Sequence, residues 1–187
     1  ITGCVHLVQA VFIMSFMIDS SLNAHIAGRL VALYGILSIF SGPIWGAVSD
    51  RVGRINAIVI TISLTFVAIS LVVFTQSLFG FTAHMLLLSA TIGGLFALVQ
   101  AASLDQVENP KYMPVAFSYV TFYFATGQLI GPLVAGWVIE DLGGFTTAFV
   151  WLACLLAIGT ALSIRLKIKT SKPRPSTAAN GGKTLES

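Results

Sequence analysis

The chain has 187 residues, of which 9% are charged and 56% hydrophobic, with a mean hydropathy of +0.92. Soluble domains carry about 25% charged residues, so this composition excludes a water-soluble globule. The net charge of +3 is no sign of nucleic-acid binding, because the basic residues gather at the edges of apolar stretches and in the tail, where anionic lipid attracts them.

Asp, Glu, Lys and Arg are missing from 30–49, 55–104, 112–139 and 142–164. About 20 apolar residues cross the hydrocarbon core as a helix. The block 55–104 therefore suits two spans and a turn, the others suit one each, and 1–18 makes one more. Six helices are predicted, at about 4–22, 28–49, 55–75, 80–102, 114–138 and 144–166. Runs such as Leu86-Leu87-Leu88 lack the period-2 alternation of a transmembrane β-strand, so the expected fold class is an all-α polytopic membrane protein. Nine of the ten Lys and Arg residues fall on the side of the loops 50–54 and 103–113 and the tail, with Arg29 alone on the other. The positive-inside rule then puts both ends of the segment in the cytoplasm of a cell (plasma or inner) membrane. Residues 167–187, rich in Lys, Pro, Ser and Gly, read as a basic, disordered cytoplasmic tail. The first residue is Ile, with no signal-peptide pattern ahead of the first span, and the segment reads as a piece of a longer chain.

The first helix carries His6, Gln9 and Ser15, and ends with Asp19, the one acid within a predicted span. Polar groups deep in a membrane need a partner or a water-lined cavity. Asp19 would carry a coupling proton if it were buried; the plainer reading is a solvated helix end paired with Arg29.

The second helix ends in Gly42-Pro43-Ile44-Trp45-Gly46 and runs into Gly46-Ala47-Val48-Ser49-Asp50-Arg51-Val52-Gly53-Arg54. Asp50 falls at a helix C-terminus, where the macrodipole disfavours an anion, so it needs a compensating partner. Arg51 and Arg54, or the N-terminus of another helix, are the candidates. Gly46 would let a neighbouring helix approach closely, and Gly53 permits the tight turn. This loop closely resembles the G-x-x-x-D-R-x-G-R loop of the major facilitator superfamily, which joins the second and third helices of each six-helix half. Gly46, Asp50, Arg51, Gly53 and Arg54 all match; the usual further basic residue is absent, since Ile55 and Asn56 follow. The resemblance implies a secondary transporter, with the loop acting as a cytoplasmic latch that breaks when two bundles rock. The bland alternative is a charged turn that only sets topology. In this superfamily the first and fourth helices of each half line the central cavity, which points to Gln9 and Phe16.

Within 55–104, His84 is expected at an interface and Gly93-Gly94 as a flexible pair, while Gln100 and Asp105 belong to the loop end. The fifth helix offers Tyr119, Tyr123 and Thr126 at i, i+4 and i+7, hence on one face, as further solute contacts; interhelical hydrogen bonding or aromatic packing is the alternative for each. Its Gly127, Gly131 and Gly136 make a small-residue face and Pro132 frees a carbonyl, which suits a helix that flexes during gating.

Gly42-Pro43 and Gly131-Pro132 open two similar stretches about 89 residues apart. Both read G-P, two apolar residues, a Gly, an acid and a closing Gly, with one residue of gap. An odd number of spans separates them, so the helices run in opposite directions, as in the inverted three-helix repeats of this superfamily. The outer copy has Glu140 and Asp141 in place of the arginines.

Cys4 and Cys154 have no disulfide or metal spacing. No H-E-x-x-H, G-x-S-x-G or P-loop is present, so neither an enzyme nor a self-contained ATP-driven pump is expected. No bound cofactor is expected, only coupling to a proton or other ion gradient. The reading is the C-terminal six-helix half of a major facilitator transporter, with three partners: the lipid bilayer, a small-molecule solute and the missing N-terminal half. The alternatives are a non-transporting accessory or assembly protein and a half-transporter that dimerises.

Overall fold

The computed structural model describes residues 1–170 and is helical almost throughout. Seven α-helices follow one another: α1 (Thr2–Asp19), α2 (Ala24–Ser38), α3 (Ser41–Val52), α4 (Arg54–Phe74), α5 (Leu78–Leu104), α6 (Met113–Asp141) and α7 (Gly144–Thr170), with a 3₁₀ turn, Pro110–Tyr112, ahead of α6. Five of these helices, or six spans if α2 and α3 count as one, are long and apolar enough to cross a membrane. The chain is an all-α, multi-pass membrane protein with the layout of a six-helix half of the major facilitator fold.

Local chemistry explains where several helices start. Asn23 caps α2 by accepting from the His25 N–H at 2.8 Å, and Ser77 caps α5 by accepting from Gly80 N–H at 3.2 Å. Gly53, with φ of +87°, is both the last cap of α3 and the first of α4; that left-handed backbone suits glycine. Gln76 donates to the Thr146 hydroxyl at 2.9 Å and ties the α4–α5 turn to α7. The tail was expected to begin at residue 167, but α7 runs on to Thr170. Lys167 and Lys169 lie in its last turn, where cations complement the macrodipole. The rest of that tail lies outside the described residues.

The expected second helix, 28–49, is not one rod. It is broken between Ser38 and Ser41 with a bend of 45°. Pro43 has no N–H to give the Ile39 carbonyl, and its ring crowds that carbonyl. The chain tightens there, with Phe40 N–H bonding Leu37 O at 3.2 Å. In contrast α6, whose glycines and proline suit either flexing or static packing, is one continuous helix with Pro132 inside it. Gly127 and Gly131 dock α6 onto α1 on the N-terminal side of its proline, close enough that a Cβ on Gly131 would come 2.9 Å from the Cys4 Cα.

Residues 38–45 cross α5 at Gly93 and Gly94, and residues 127–131 of α6 cross α1 at Gly3 and Cys4. One of these crossings recurs under the shift of 89 residues, Ser38 against Gly93 and Gly127 against Cys4, whereas Gly42, the counterpart of Gly131, faces open space. The main core lies where α1, α4, α5 and α7 meet, around Val8, Phe16, Ile69, Phe81, Leu88, Phe149 and Leu152.

Candidate functional site

The charged loop and its surroundings lie at one end of the bundle. Arg54, the first residue of α4, forms an ion pair through its Nε with Asp105, the residue that ends α5. The two side chains are 37% and 48% exposed. Together with Gly53, Asn56, Gln106 and Lys167 of α7 they line a cleft of about 340 Å³. Asp50 is exposed in the last turn of α3. Among the described residues it has no hydrogen bond or ion pair, and neither has Arg51. The expectation that Arg54 would compensate Asp50 is thus corrected: α4 turns away from α3 at Gly53, and Arg54 reaches the chain end that returns beside it. Gly46 is also placed differently from expectation, since a Cβ there would meet nothing within 4 Å. Its carbonyl accepts from the Ser49 hydroxyl at 2.8 Å.

The break above this loop is fastened to α5. The Ser41 hydroxyl donates to the Ala90 carbonyl at 3.2 Å and accepts from the Gly94 N–H at 2.7 Å. The Trp45 Nε1–H donates to the same Ala90 carbonyl at 2.6 Å. A Cβ on Gly94 would overlap the Trp45 side chain, and one on Gly93 would lie 3.3 Å from the Ser38 carbonyl. Gly93-Gly94 is therefore a docking surface and not a free flexible pair. Neither Ser41 nor Trp45 stood out in the sequence; a Gly-Gly pair in the fourth span was the available signal.

The candidate solute residues do not form one site. Phe16 is 1% exposed, packed among Phe81, Phe145 and Phe149 with ring centroids 5.6, 5.9 and 4.9 Å away. It is a core residue in this half, because three aromatic rings from α5 and α7 converge on its face. Gln9 is also wholly buried, and neither its amide nitrogen nor its oxygen has a partner. Tyr119 and Tyr123 are 62% and 70% exposed on the open face of α6, where Pro114, Val115, Ser118 and Phe122 complete a shallow groove of about 520 Å³ beside Tyr119. Thr126 is half-buried and its hydroxyl donates to Phe122 O at 2.8 Å. Of the small-residue face on α6, Gly136 stands apart, its nearest neighbour being Phe12 at 3.9 Å from a built Cβ.

Asp19 is exposed at the end of α1, and no pair with Arg29 forms among the described residues. His84 lies inside the bundle, not at an interface: it is fully buried, with Nδ1 2.6 Å from the Ala68 carbonyl. A carbonyl only accepts, so Nδ1 carries the proton. Among the described residues, no group of three or more His, Cys, Asp or Glu side chains is arranged to hold a metal ion.

Sequence comparison agrees with this architecture. The chain is 31% identical over 156 residues to Multidrug resistance protein 1 of Bacillus subtilis, covering 78% of this chain and 38% of that protein. It is 27% identical over 150 residues to the Major facilitator superfamily multidrug transporter mfsB of Aspergillus fumigatus, covering 77% and 23%. It is 26% identical over 170 residues to the class H Tetracycline resistance protein of Pasteurella multocida, covering 91% and 41%. The chain spans less than half the length of each of these relatives. Residues 1–186 match the family model of the Major Facilitator Superfamily, and the chain belongs to that superfamily of membrane transporters.

Proposed function

We propose that the chain is one six-helix half, the C-terminal one, of a secondary transporter that moves a small solute by alternating access. The observation that carries this reading is the state of the charged loop. Arg54 is held by Asp105, which braces α4 against α5, while Asp50 stands ready for a partner on another segment. A carboxylate at a helix C-terminus is unfavourable alone, so the surface it meets belongs to the half beyond these residues. Contact closes the cytoplasmic face, and rocking of the halves breaks it. The N-terminal half supplies the rest of the cavity, whose contribution from this half is Tyr119, Tyr123 and Thr126 on α6, with Gln9 deeper in α1. Both ends of the segment lie in the cytoplasm, and an ion gradient, with protons the first candidate, supplies the energy.

Relatives named for multidrug and tetracycline resistance support export of aromatic, drug-sized molecules, a class that Tyr119, Phe122 and Tyr123 suit. The test is efflux by the full-length protein, in cells stripped of their own exporters, of a fluorescent lipophilic cation and of tetracycline under an imposed pH gradient. Export of either that collapses with the gradient is expected. Retention equal to that of cells lacking the protein, at normal membrane abundance, would sink the reading.

A further inference from the structure

The break between α2 and α3 sits against an unusual feature of α5. Ala90 and Gly94 are the two ends of a single i→i−4 step of that helix, and the Ser41 hydroxyl bonds both: it accepts from Gly94 N–H at 2.7 Å and donates to Ala90 O at 3.2 Å. Trp45 adds a third bond, at 2.6 Å, to that same carbonyl. A side chain inserted into a helix ladder is a recognised cause of bending. α5 itself runs unbroken from Leu78 to Leu104, and the break in the neighbouring span is joined to it by one buried hydroxyl and one indole. Ser41 is 1% exposed and Trp45 is 8% exposed.

Both arms of the broken span pack on α5, but among the described residues only α3 is bonded to it through side chains. α3 is fixed to α5 by these bonds and by the packing of Trp45 with Ala57 and Leu98. α2 buries only Ala27 and Leu30, and Leu33, Ile36 and Ile39 on it and at its end are exposed.

We propose that Ser41 and Trp45 are positioning residues that clamp α3, and with it the charged loop, to the Ala90–Gly94 step of α5, and so hold the bend at 39–40 at one angle. The loop of Asp50 then moves with α5. The functional consequence rests on the alternating-access reading; the geometry does not.

The test keeps the two apart. In the full-length protein, with native cysteines replaced, spin labels at Ile26 on α2 and Ala47 on α3 straddle the break. Helical rise puts them about 30 Å apart along the span, within the range of pulsed dipolar spectroscopy. A second pair, at Val67 and Leu86, reports whether α4 and α5 remain folded together. A single narrow distance across the break is expected in the wild-type background. Ser41→Ala combined with Trp45→Phe, which keeps a ring over Gly94, is expected to lose that single peak while the Val67–Leu86 distance stays fixed. An unchanged distribution across the break in the double variant overturns the clamp. Broadening that appears equally in the control pair reports unfolding, and Trp45→Phe alone, with the lesser packing change, must then broaden the break selectively or the clamp is overturned. Efflux is measured separately. Loss of the single peak with no transport in any variant would leave the clamp standing and remove the transport reading.

Discussion

Arg54, at the start of α4, is paired with Asp105, at the end of α5, and not with Asp50 four residues before it. The pair closes the open end of the α4–α5 hairpin, whose other end is the turn at 75–77. Both side chains are more than a third exposed, so its worth to stability is small, about 0–1 kcal/mol. Asp105→Asn should therefore leave thermal stability in detergent close to wild type. If the pair braces the loop, transport should nevertheless fall several-fold, and normal transport would reduce the pair to a surface contact.

Asp50 gives the complementary prediction. With no partner among the described residues, Asp50→Asn should leave insertion and abundance unchanged and slow transport. Wild-type rates at wild-type abundance would show that the loop only sets topology.

The glycines separate into two groups by what surrounds them. A Cβ on Gly94 would overlap Trp45, and one on Gly3 would overlap the Phe124 carbonyl, so alanine at either should destabilise by about 1–3 kcal/mol through overpacking. Gly28, Gly35 and Gly46 face open space, and alanine there should be neutral or slightly stabilising in an interior helix position. Gly53 is different again, since its φ of +87° and ψ of +145° make alanine cost about 1–3 kcal/mol without any clash. Thermal denaturation of the six purified variants checks the order, and equal melting temperatures for Gly46→Ala and Gly94→Ala would refute it.

Much of this was legible in the residues because membrane chemistry is strict. Charge-free blocks marked the spans, and the Gly-Pro pairs marked the repeat. The partner of Arg54 was legible too, though missed: Arg54 and Asp105 bracket a charge-free block of two spans, so both must return to the same face. The break in the second span and the continuity of α6 were not readable, because both carry the same Gly-Pro pair. What separates them is tertiary: both are seated on a neighbouring helix, at Gly3–Cys4 and at Gly93–Gly94, but the broken one adds the Ser41 and Trp45 bonds to α5. Phe16 was misplaced for a similar reason. A phenylalanine on the first helix suits a cavity or a core equally until Phe81, Phe145 and Phe149 are seen to converge on it.

Asp19 tests the coupling idea directly. Its carboxylate is exposed at the end of α1, not enclosed in the bundle. Asp19→Asn should leave the pH dependence of transport unchanged, measured as initial rates over a range of imposed gradients. A flattened profile would restore Asp19 as the coupling group.

Gln9 is the sharpest test of whether polar groups inside this half serve stability or transport. Its whole amide is buried and unpartnered, and leaving such a group unsatisfied costs about 1–3 kcal/mol. Gln9→Met keeps the length and flexibility of the side chain while removing both polar atoms, so it should raise the melting temperature. A residue that destabilises its own fold needs another reason to be there. If the more stable variant also loses efflux, the amide is serving a solute or a water that enters during the cycle. If stability rises and efflux is untouched, Gln9 is no part of the solute path, and the aromatic face of α6 is left as this half's contribution. A lower melting temperature would show instead that the amide is satisfied in the membrane, by a partner from the other half.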